Sequence, residues 1–127
     1  MISFQRHPDI DAALFKFVGE FTMAEYSGAM KAFMDSDVFR PGMNTLWDLQ
    51  ELTVESVTTD VVKTVADYME AFAPQHEGLT WKVALVVGAD VVYGVSRMFT
   101  AYAESAPNQV MVFRSMDDAE AWLVSGQ

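Results

Sequence analysis

The sequence predicts an α/β domain in which a five-stranded, largely parallel sheet packs against four helices. Short apolar segments alternate with longer segments of helical periodicity, which is typical of successive β–α–β units. Residues 81–88 (WKVALVVG) are apolar apart from Lys82, as expected of a central strand covered on both faces. A short turn joins the first two strand segments into an edge hairpin. The predicted order is β-β-α-β-α-β-α-β-α, in one domain over residues 1–127.

The first half of the chain predicts two strands, a helix and a third strand. Residues 2–7 alternate between apolar and polar side chains, and a Pro-Asp turn leads into a second strand at 12–19. Thr22 and Glu25 form a capping-box pattern that begins the first helix. The third strand is predicted at 45–49 (TLWDL). The inward face of the helix is predicted to carry Met23, Tyr26, Met30, Phe33 and Met34.

The second half predicts a helix on the sheet at about 56–72, a strand at 109–113 (QVMVF) and a closing helix. Ser115 and Asp118 form a second capping box at the start of that closing helix. The inward face of the helix at 56–72 is predicted to carry Val57, Val61, Val65, Tyr68, Met69 and Phe72. Its outward face is predicted to carry Thr59, Lys63, Asp67 and Glu70.

Residues 82–99 combine a strand, a glycine turn at Gly88 and a helix, an order shared with many nucleotide sites. A dinucleotide fingerprint needs three glycines and a P-loop needs Gly-Lys-Ser/Thr, and neither is present. Asp90 stands where the anion would bind, and we expect its carboxylate to satisfy the helix amides. We therefore interpret this stretch as architecture, with Gly94 explained by close helix–sheet packing. The predicted buried stripe is Val91, Val95, Met98 and Tyr102, flanked by Val92 and Phe99.

The charge balance limits the kinds of partner. Eighteen acidic residues against eight Lys and Arg give a net charge of −10, which repels nucleic acid and anionic lipid. There is no cysteine, no stretch long enough for a membrane span and no visible secretory signal, so we expect a soluble, cytoplasmic protein. No cofactor is expected, and an apolar fraction of 51% is compatible with a homodimer.

The candidate chemistry is sparse. His7 and His76, the two histidines, adjoin turn residues and show no metal-binding spacing. No nucleophile, base and orienting group can be assembled, so we expect the protein not to be an enzyme. Tyr93 and Arg97 share the polar face of the helix that begins at Asp90. They are candidate contacts for a carboxylate-bearing ligand or a partner, the alternative being a solvated helix face.

The order of these segments resembles the SpoIIAA-like proteins of the STAS superfamily. Residues 82–123 are similar to the C-terminal half of that family: a valine-rich strand, the helix YGVSRMF, the strand VMVFRS and an acidic helix ending in AEAWL. Residues 19–26 and 46–56 resemble its first helix entrance and third strand. The resemblance implies a βα superhelix related to anti-sigma-factor antagonists and, more distantly, to CRAL-TRIO lipid-transfer domains.

The same resemblance directs attention to one connection. Related antagonists carry a phosphorylatable serine at the start of the helix after the third strand, and the corresponding segment here follows Asp48 as LTVESVTT (52–59). Ser56 is the nearest counterpart, with Thr58 and Thr59 nearby. The family's Asp-Ser pair and following glycine are absent, and helix capping is the alternative role for Ser56. Asp48 is a further candidate partner contact.

Two functions are therefore expected. The first is a non-enzymatic, STAS-like regulatory or protein-interaction domain. The alternative is a binding protein for a small apolar or acyl ligand in a pocket between helices and sheet, because nine Met and nine Phe suit an adaptable apolar site. A closed cavity on the order of several hundred Å³ would favour the ligand. A filled core with an exposed apolar patch would favour a protein partner.

Overall fold

A computed structural model describes residues 1–71, 73–102 and 108–125. The five strands and four helices occur in the predicted order. The strands are β1 (Ile2–Arg6), β2 (Ala12–Glu20), β3 (Asn44–Thr53), β4 (Lys82–Val87) and β5 (Gln109–Phe113). The helices are α1 (Met23–Met34), α2 (Thr59–Ala71), α3 (Asp90–Tyr102) and α4 (Met116–Val124). A short 3₁₀ helix, Ala73–His76, lies between α2 and β4.

The sheet has the strand order β1-β2-β3-β4-β5. β1 pairs antiparallel with β2, and the remaining neighbours pair in parallel, so the predicted mixed sheet with an edge hairpin is confirmed. Every residue of β4 is buried, as the apolar run predicts for a central strand.

The two faces of the sheet are covered unequally. Side chains from α1, α2 and α3 join one face of β2, β3 and β4 in the larger core. Trp47 of β3 lies at its centre, with ring centroids 5.4 Å from Phe17, 5.8 Å from Tyr26 and 6.1 Å from Phe99. The opposite face forms a smaller core with α4, through Leu123 among others. Three helices therefore bury one face and a single helix partly covers the other.

In both predicted capping boxes, the threonine or serine side chain accepts the expected hydrogen bond from the backbone amide three residues later. Thr22 Oγ1 accepts a hydrogen bond from the Glu25 amide at 3.2 Å, which begins α1. Ser115 Oγ accepts one from the Asp118 amide at 3.3 Å, which begins α4. Each side chain satisfies an amide that the first helical turn leaves without a partner, so both helix starts follow directly from the sequence.

The C-terminal end of α4 is capped by residues from the sheet. Lys82 is only 6% exposed, and its Nζ donates to the carbonyls of Trp122 at 2.9 Å and Ser125 at 3.1 Å. The Asn44 side chain donates to the carbonyl of Leu123 at 3.2 Å. A cation at the negative end of a helix dipole is favourable. The hydrogen bonds from Lys82 of β4 thus hold the C-terminal end of α4 against the sheet.

The buried face of α3 differs from the predicted stripe. Val92, Ser96 and Phe99 are 2%, 4% and 5% exposed, whereas Val91 and Met98 are 62% and 37% exposed. The prediction was wrong because apolar residues occupy adjacent positions, so two neighbouring faces fit the helical period. The ring of Phe99 stacks on the central tryptophan of the core, and this packing sets the rotation of the helix.

The explanation given for Gly94 was also wrong. Gly94 lies on the exposed side of α3, and a Cβ built there would meet no atom within 4 Å. It therefore allows no close approach of the helix to the sheet. Val95, from the predicted stripe, is half-buried, and the side chain of Tyr102 lies outside the described residues.

The face that α2 presents to the core is close to the predicted one. Val65 and Met69 are buried as expected, and Val61 and Tyr68 are half-buried at the edge. Val62 and Ala66 complete the buried set. Phe72 lies outside the described residues. The predicted outward residues, Thr59, Lys63, Asp67 and Glu70, are all exposed.

Candidate functional site

An apolar cleft opens between α2 and α3, over the sheet, and encloses about 60 Å³. We call it the α2–α3 cleft. Ser96, nearly buried, is the single polar residue among the described residues that line it. Its apolar lining consists of Phe17, Phe21, Trp47, Leu49, Leu52, Val54, Val57, Val61, Val62, Val65, Leu85, Val92, Val95 and Phe99.

The cleft lies toward the carboxyl ends of β3 and β4, where open α/β sheets commonly bind ligands. β3 extends to Thr53, beyond the predicted end at Leu49, and the chain then turns so that Val54 and Val57 line the cleft. The β4–α3 turn comes close to β3, because a Cβ at Gly88 would lie 3.3 Å from the carbonyl oxygen of Gln50. Glycine at this turn therefore serves packing, in agreement with the architectural interpretation.

A charged cluster lies outside the cleft at the start of α3. Arg114 donates to Asp90 Oδ1 at 2.9 Å, and its guanidinium lies 4.5 Å from the centre of the Tyr93 ring. The Asp90 side chain is 94% exposed and is bound by this arginine, so its expected role as the helix cap is not the one observed. Arg97 is exposed on the same helix. Arg114 was not among the residues singled out from the sequence. Its position directly after the strand predicted at 109–113 was the signal that could have identified it.

The two histidines take structural positions. His7 Nδ1 accepts the amides of Asp9 at 3.0 Å and Ile10 at 3.2 Å, and Nε2 lies 2.7 Å from a Glu120 carboxylate oxygen. Because Nδ1 accepts hydrogen bonds from two amides, Nε2 carries a proton and donates it to Glu120. His7 thus joins the β1–β2 turn to α4.

His76 lies beneath the other end of the larger core. Its Nδ1 accepts the amide of Gly42 at 2.8 Å, and its ring stacks on Trp81. Burial lowers the pKa of His76 to about 4, so the ring is neutral at ordinary pH. Within residues 1–71, 73–102 and 108–125 no group of three His, Cys, Asp or Glu side chains is arranged to hold a metal ion.

Comparison with known proteins adds information on the fold. No family model and no curated protein matches the chain. Among solved structures, an uncharacterized DUF3478-family protein from Shewanella loihica PV-4, described as having a SpoIIAA-like fold, is similar at a TM-score of 0.60. The alignment covers 97% of this chain and 92% of that chain, at 20% identity. The protein has a SpoIIAA-like fold. The resemblance drawn from the sequence is thereby confirmed for the fold. None of the described helices is both long and apolar enough to cross a membrane.

In this SpoIIAA-like fold the three candidate phosphoacceptors lie between β3 and the first turn of α2, and all are exposed. Ser56 was expected at the start of α2, with helix capping as its alternative role, but it does neither, because the helix starts at Thr59. Thr58 Oγ1 accepts the Val61 amide at 3.3 Å and is the cap. The Ser56 amide is instead bound by a Glu20 carboxylate oxygen at 3.1 Å. A phosphate on Ser56 would meet that carboxylate, so phosphorylation there is electrostatically opposed.

The remaining candidate contacts do not converge on one site. Asp48 accepts hydrogen bonds from the Gln50 amide and side chain, both at 3.1 Å. Side chains alternate along β3, so Asp48 faces the α4 side of the sheet while Trp47 faces the cleft. Tyr93 and Arg97 lie on α3, on the other side of the sheet. The SpoIIAA-like fold therefore brings together the apolar cleft residues rather than the polar candidates.

Proposed function

We propose that the protein is a non-enzymatic interaction domain of the STAS-like regulatory type, and that the α2–α3 cleft receives an apolar side chain of a protein partner. The observation that supports this function is the cleft itself, an apolar recess with half-buried residues at its mouth. Among the described residues that line the cleft, Ser96 is the single polar one, and none of the others is a base that could activate its hydroxyl.

The size of the cleft favours a side chain over a whole lipid. About 60 Å³ is well below the roughly 300–1,000 Å³ of pockets that enclose small-molecule ligands. It is large enough for the end of one leucine, methionine or phenylalanine. Anchoring residues of this kind supply most of the binding energy in many protein interfaces.

The charge around the cleft indicates the character of the partner. Exposed Glu55 and Asp60 adjoin the lining residues Val54 and Val61. Exposed Lys63 and Arg97 adjoin the lining as well, but the chain as a whole carries a net charge of −10. A partner with an apolar anchor flanked by lysine or arginine would complement this surface.

The test places a carboxylate in the cleft and, as a control, on the same helix outside it. Val95→Glu introduces a charge at a half-buried lining position, whereas Met98→Glu introduces one at an exposed position that does not line the cleft. In affinity capture from extract of the source cells, one protein should be retained by the wild type and by Met98→Glu and lost from Val95→Glu. Circular dichroism would verify that both variants fold.

Two further variants examine the polar candidates. Ser56→Ala and Arg97→Ala change exposed side chains, so both should fold normally. If either residue contacts the partner, capture should weaken while the melting temperature stays constant. Capture that is equal for the wild type and Val95→Glu, or that recovers only the protein itself, would contradict a partner in the cleft.

A small apolar or acyl ligand is the second candidate, and the same cleft supports it because, as far as the structure describes it, its lining is apolar except for Ser96. The end of an alkyl chain would then occupy the space. Purified wild type and the Val95→Glu variant would be tested with fatty acids and fatty alcohols of increasing length. A rise in melting temperature for the wild type alone would support this candidate. No shift across the panel, with no lipid found by mass spectrometry, would contradict it.

A further inference from the structure

Ser96, the single polar residue in the described lining of the α2–α3 cleft, differs from the other hydroxyl residues inside the helices. A serine or threonine within a helix commonly donates its hydroxyl to a backbone carbonyl three or four residues earlier. Ser27, Thr64 and Thr100 each do so, at distances between 2.7 and 3.3 Å. Within the described part of the chain, the hydroxyl of Ser96 makes neither this hydrogen bond nor another. It is therefore available to a group from outside the chain.

The Ser96 side chain is buried, yet its oxygen is open to the cleft. The residue is 4% exposed, whereas none of the three back-bonded residues is buried. Four buried side-chain polar atoms of the described residues lack both a hydrogen-bond partner and contact with solvent, and Ser96 Oγ is not one of them. Its oxygen therefore keeps some accessible surface. Because Ser96 lines the cleft, that surface faces the space that an occupant would fill.

This hydroxyl distinguishes between possible occupants of the cleft. A purely apolar group, such as the end of a leucine or phenylalanine, would separate the Ser96 hydroxyl from water without giving it a hydrogen-bond partner. A buried polar group without a partner is unfavourable. An occupant with a hydrogen-bonding atom at its leading end replaces the water and avoids this cost. The cleft therefore favours an apolar group with a polar tip.

The described lining and the size of the cleft limit which side chain this is. A charged group would lie unpaired among apolar side chains, and an amide has more donors and acceptors than one hydroxyl can satisfy. Serine and threonine are too short to fill an apolar recess, and the sulfur of methionine is only a weak acceptor. Tyrosine carries a single hydroxyl at the far end of an apolar ring. About 60 Å³ can receive the end of that ring.

We infer that the α2–α3 cleft binds a tyrosine side chain of the protein partner, whose phenolic hydroxyl forms a hydrogen bond with the hydroxyl of Ser96. This inference rests on the function proposed for the cleft and specifies the anchoring residue. Both hydroxyls can donate and accept, so the bond can form in either direction. The partner's binding segment is then a tyrosine flanked by lysine or arginine.

Two small compounds of nearly the same shape test the hydrogen bond. They are p-cresol, which corresponds to the tyrosine side chain, and toluene, which corresponds to phenylalanine. Their dissociation constants would be measured by nuclear magnetic resonance titration. Toluene is the more apolar compound, so an apolar cleft without a hydrogen bond should bind it more tightly. We expect the wild type to prefer p-cresol, and Ser96→Ala should reduce the ratio of p-cresol affinity to toluene affinity by about 3–10-fold.

Two control variants show where the compounds bind. Ser27→Ala makes the same chemical change on α1, outside the cleft, and should leave the affinity ratio unchanged. Val95→Glu places a charge in the lining and should weaken the binding of both compounds.

The stability of Ser96→Ala provides a second measurement. This variant removes a hydroxyl that has no partner within the described part of the chain, and alanine favours a helix more than serine does. Its melting temperature should therefore rise by about 1–3 °C. A fall would mean that the hydroxyl is bonded within the protein, which would overturn the inference.

The binding data separate this inference from the proposed function. If the wild type and Ser96→Ala had the same affinity ratio, tyrosine would not be the anchor. Binding of toluene to the wild type but not to Val95→Glu would in that case still support an apolar side chain in the cleft. If neither compound bound to the wild type, the proposed function and this inference would both be contradicted.

Discussion

At the scale of single residues, the aromatic stack of His76 on Trp81 shows how burial fixes a protonation state. The ring centroids are 3.7 Å apart and the planes differ by 8°. The Gly42 amide occupies Nδ1, and the ring is only 3% exposed, so a proton added on Nδ1 would break the hydrogen bond and place a charge in the core. This geometry accounts for the lowered pKa.

The stability of the protein should therefore depend on the protonation of His76. Its pKa falls from 6.5 to about 4 on folding, so between these values the unfolded chain binds the proton that the folded chain does not. The stabilisation is complete above pH 6.5 and is lost as the pH falls toward 4, by up to about 3 kcal/mol. Chemical denaturation measured from pH 7.5 to pH 4 would record the loss.

A variant without a titrating ring isolates this effect from other acid groups. The side-chain oxygen of His76→Asn can accept the Gly42 amide, although the stacking on Trp81 is lost. The variant should be less stable than the wild type at pH 7.5, and the difference should shrink as the pH falls. A difference that stays constant across this range would show that His76 does not carry the pH dependence.

At the scale of secondary structure, α3 shows the limit of inference from periodicity. The type of each element follows from its local pattern, and β5 has the predicted bounds. The rotation of α3 about its axis does not follow from its local pattern. Val91 and Val92 are neighbours, and an apolar stripe can begin at either of them. Only the packing of Phe99 against Trp47, a long-range contact, selects between them. The outward position of Gly94 is a consequence of that selection.

The exposed position of Gly94 predicts that alanine stabilises α3. Alanine is about 1 kcal/mol more favourable than glycine inside a helix, and its Cβ would meet no atom within 4 Å. Gly94→Ala should raise the free energy of unfolding by about 0.5–1 kcal/mol. Thermal or urea denaturation would measure the gain.

Gly42→Ala provides the opposite case. Gly42 has a φ of +77°, and a Cβ there would lie 2.9 Å from a methyl carbon of Leu79, so alanine should destabilise the protein. If Gly94→Ala also proved destabilising, Gly94 would have a role in packing that the open space around it does not provide.

At the scale of the whole molecule, the sequence predicted the order of elements along the chain and the edge hairpin, but it could not locate the cleft. The α2–α3 cleft is a gap between distant elements, and local patterns contain no information about imperfect packing. Trp47, at the centre of a predicted strand, lines this cleft. The net charge could be read directly from composition, and its effect is a property of the entire surface.

The net charge of −10 predicts that salt stabilises the folded chain. Like charges repel in the compact state, and 0.1 M salt limits this repulsion to about 10 Å. Salt also weakens exposed ion pairs such as Lys16–Glu51 and Arg40–Asp11, but pairs this exposed contribute little to stability. The melting temperature should therefore rise by about 2–5 °C between 10 and 200 mM NaCl at pH 7.5. Near the pI of about 4.3 the repulsion vanishes, so the rise should be smaller there. A fall at pH 7.5 would mean that the ion pairs outweigh the repulsion.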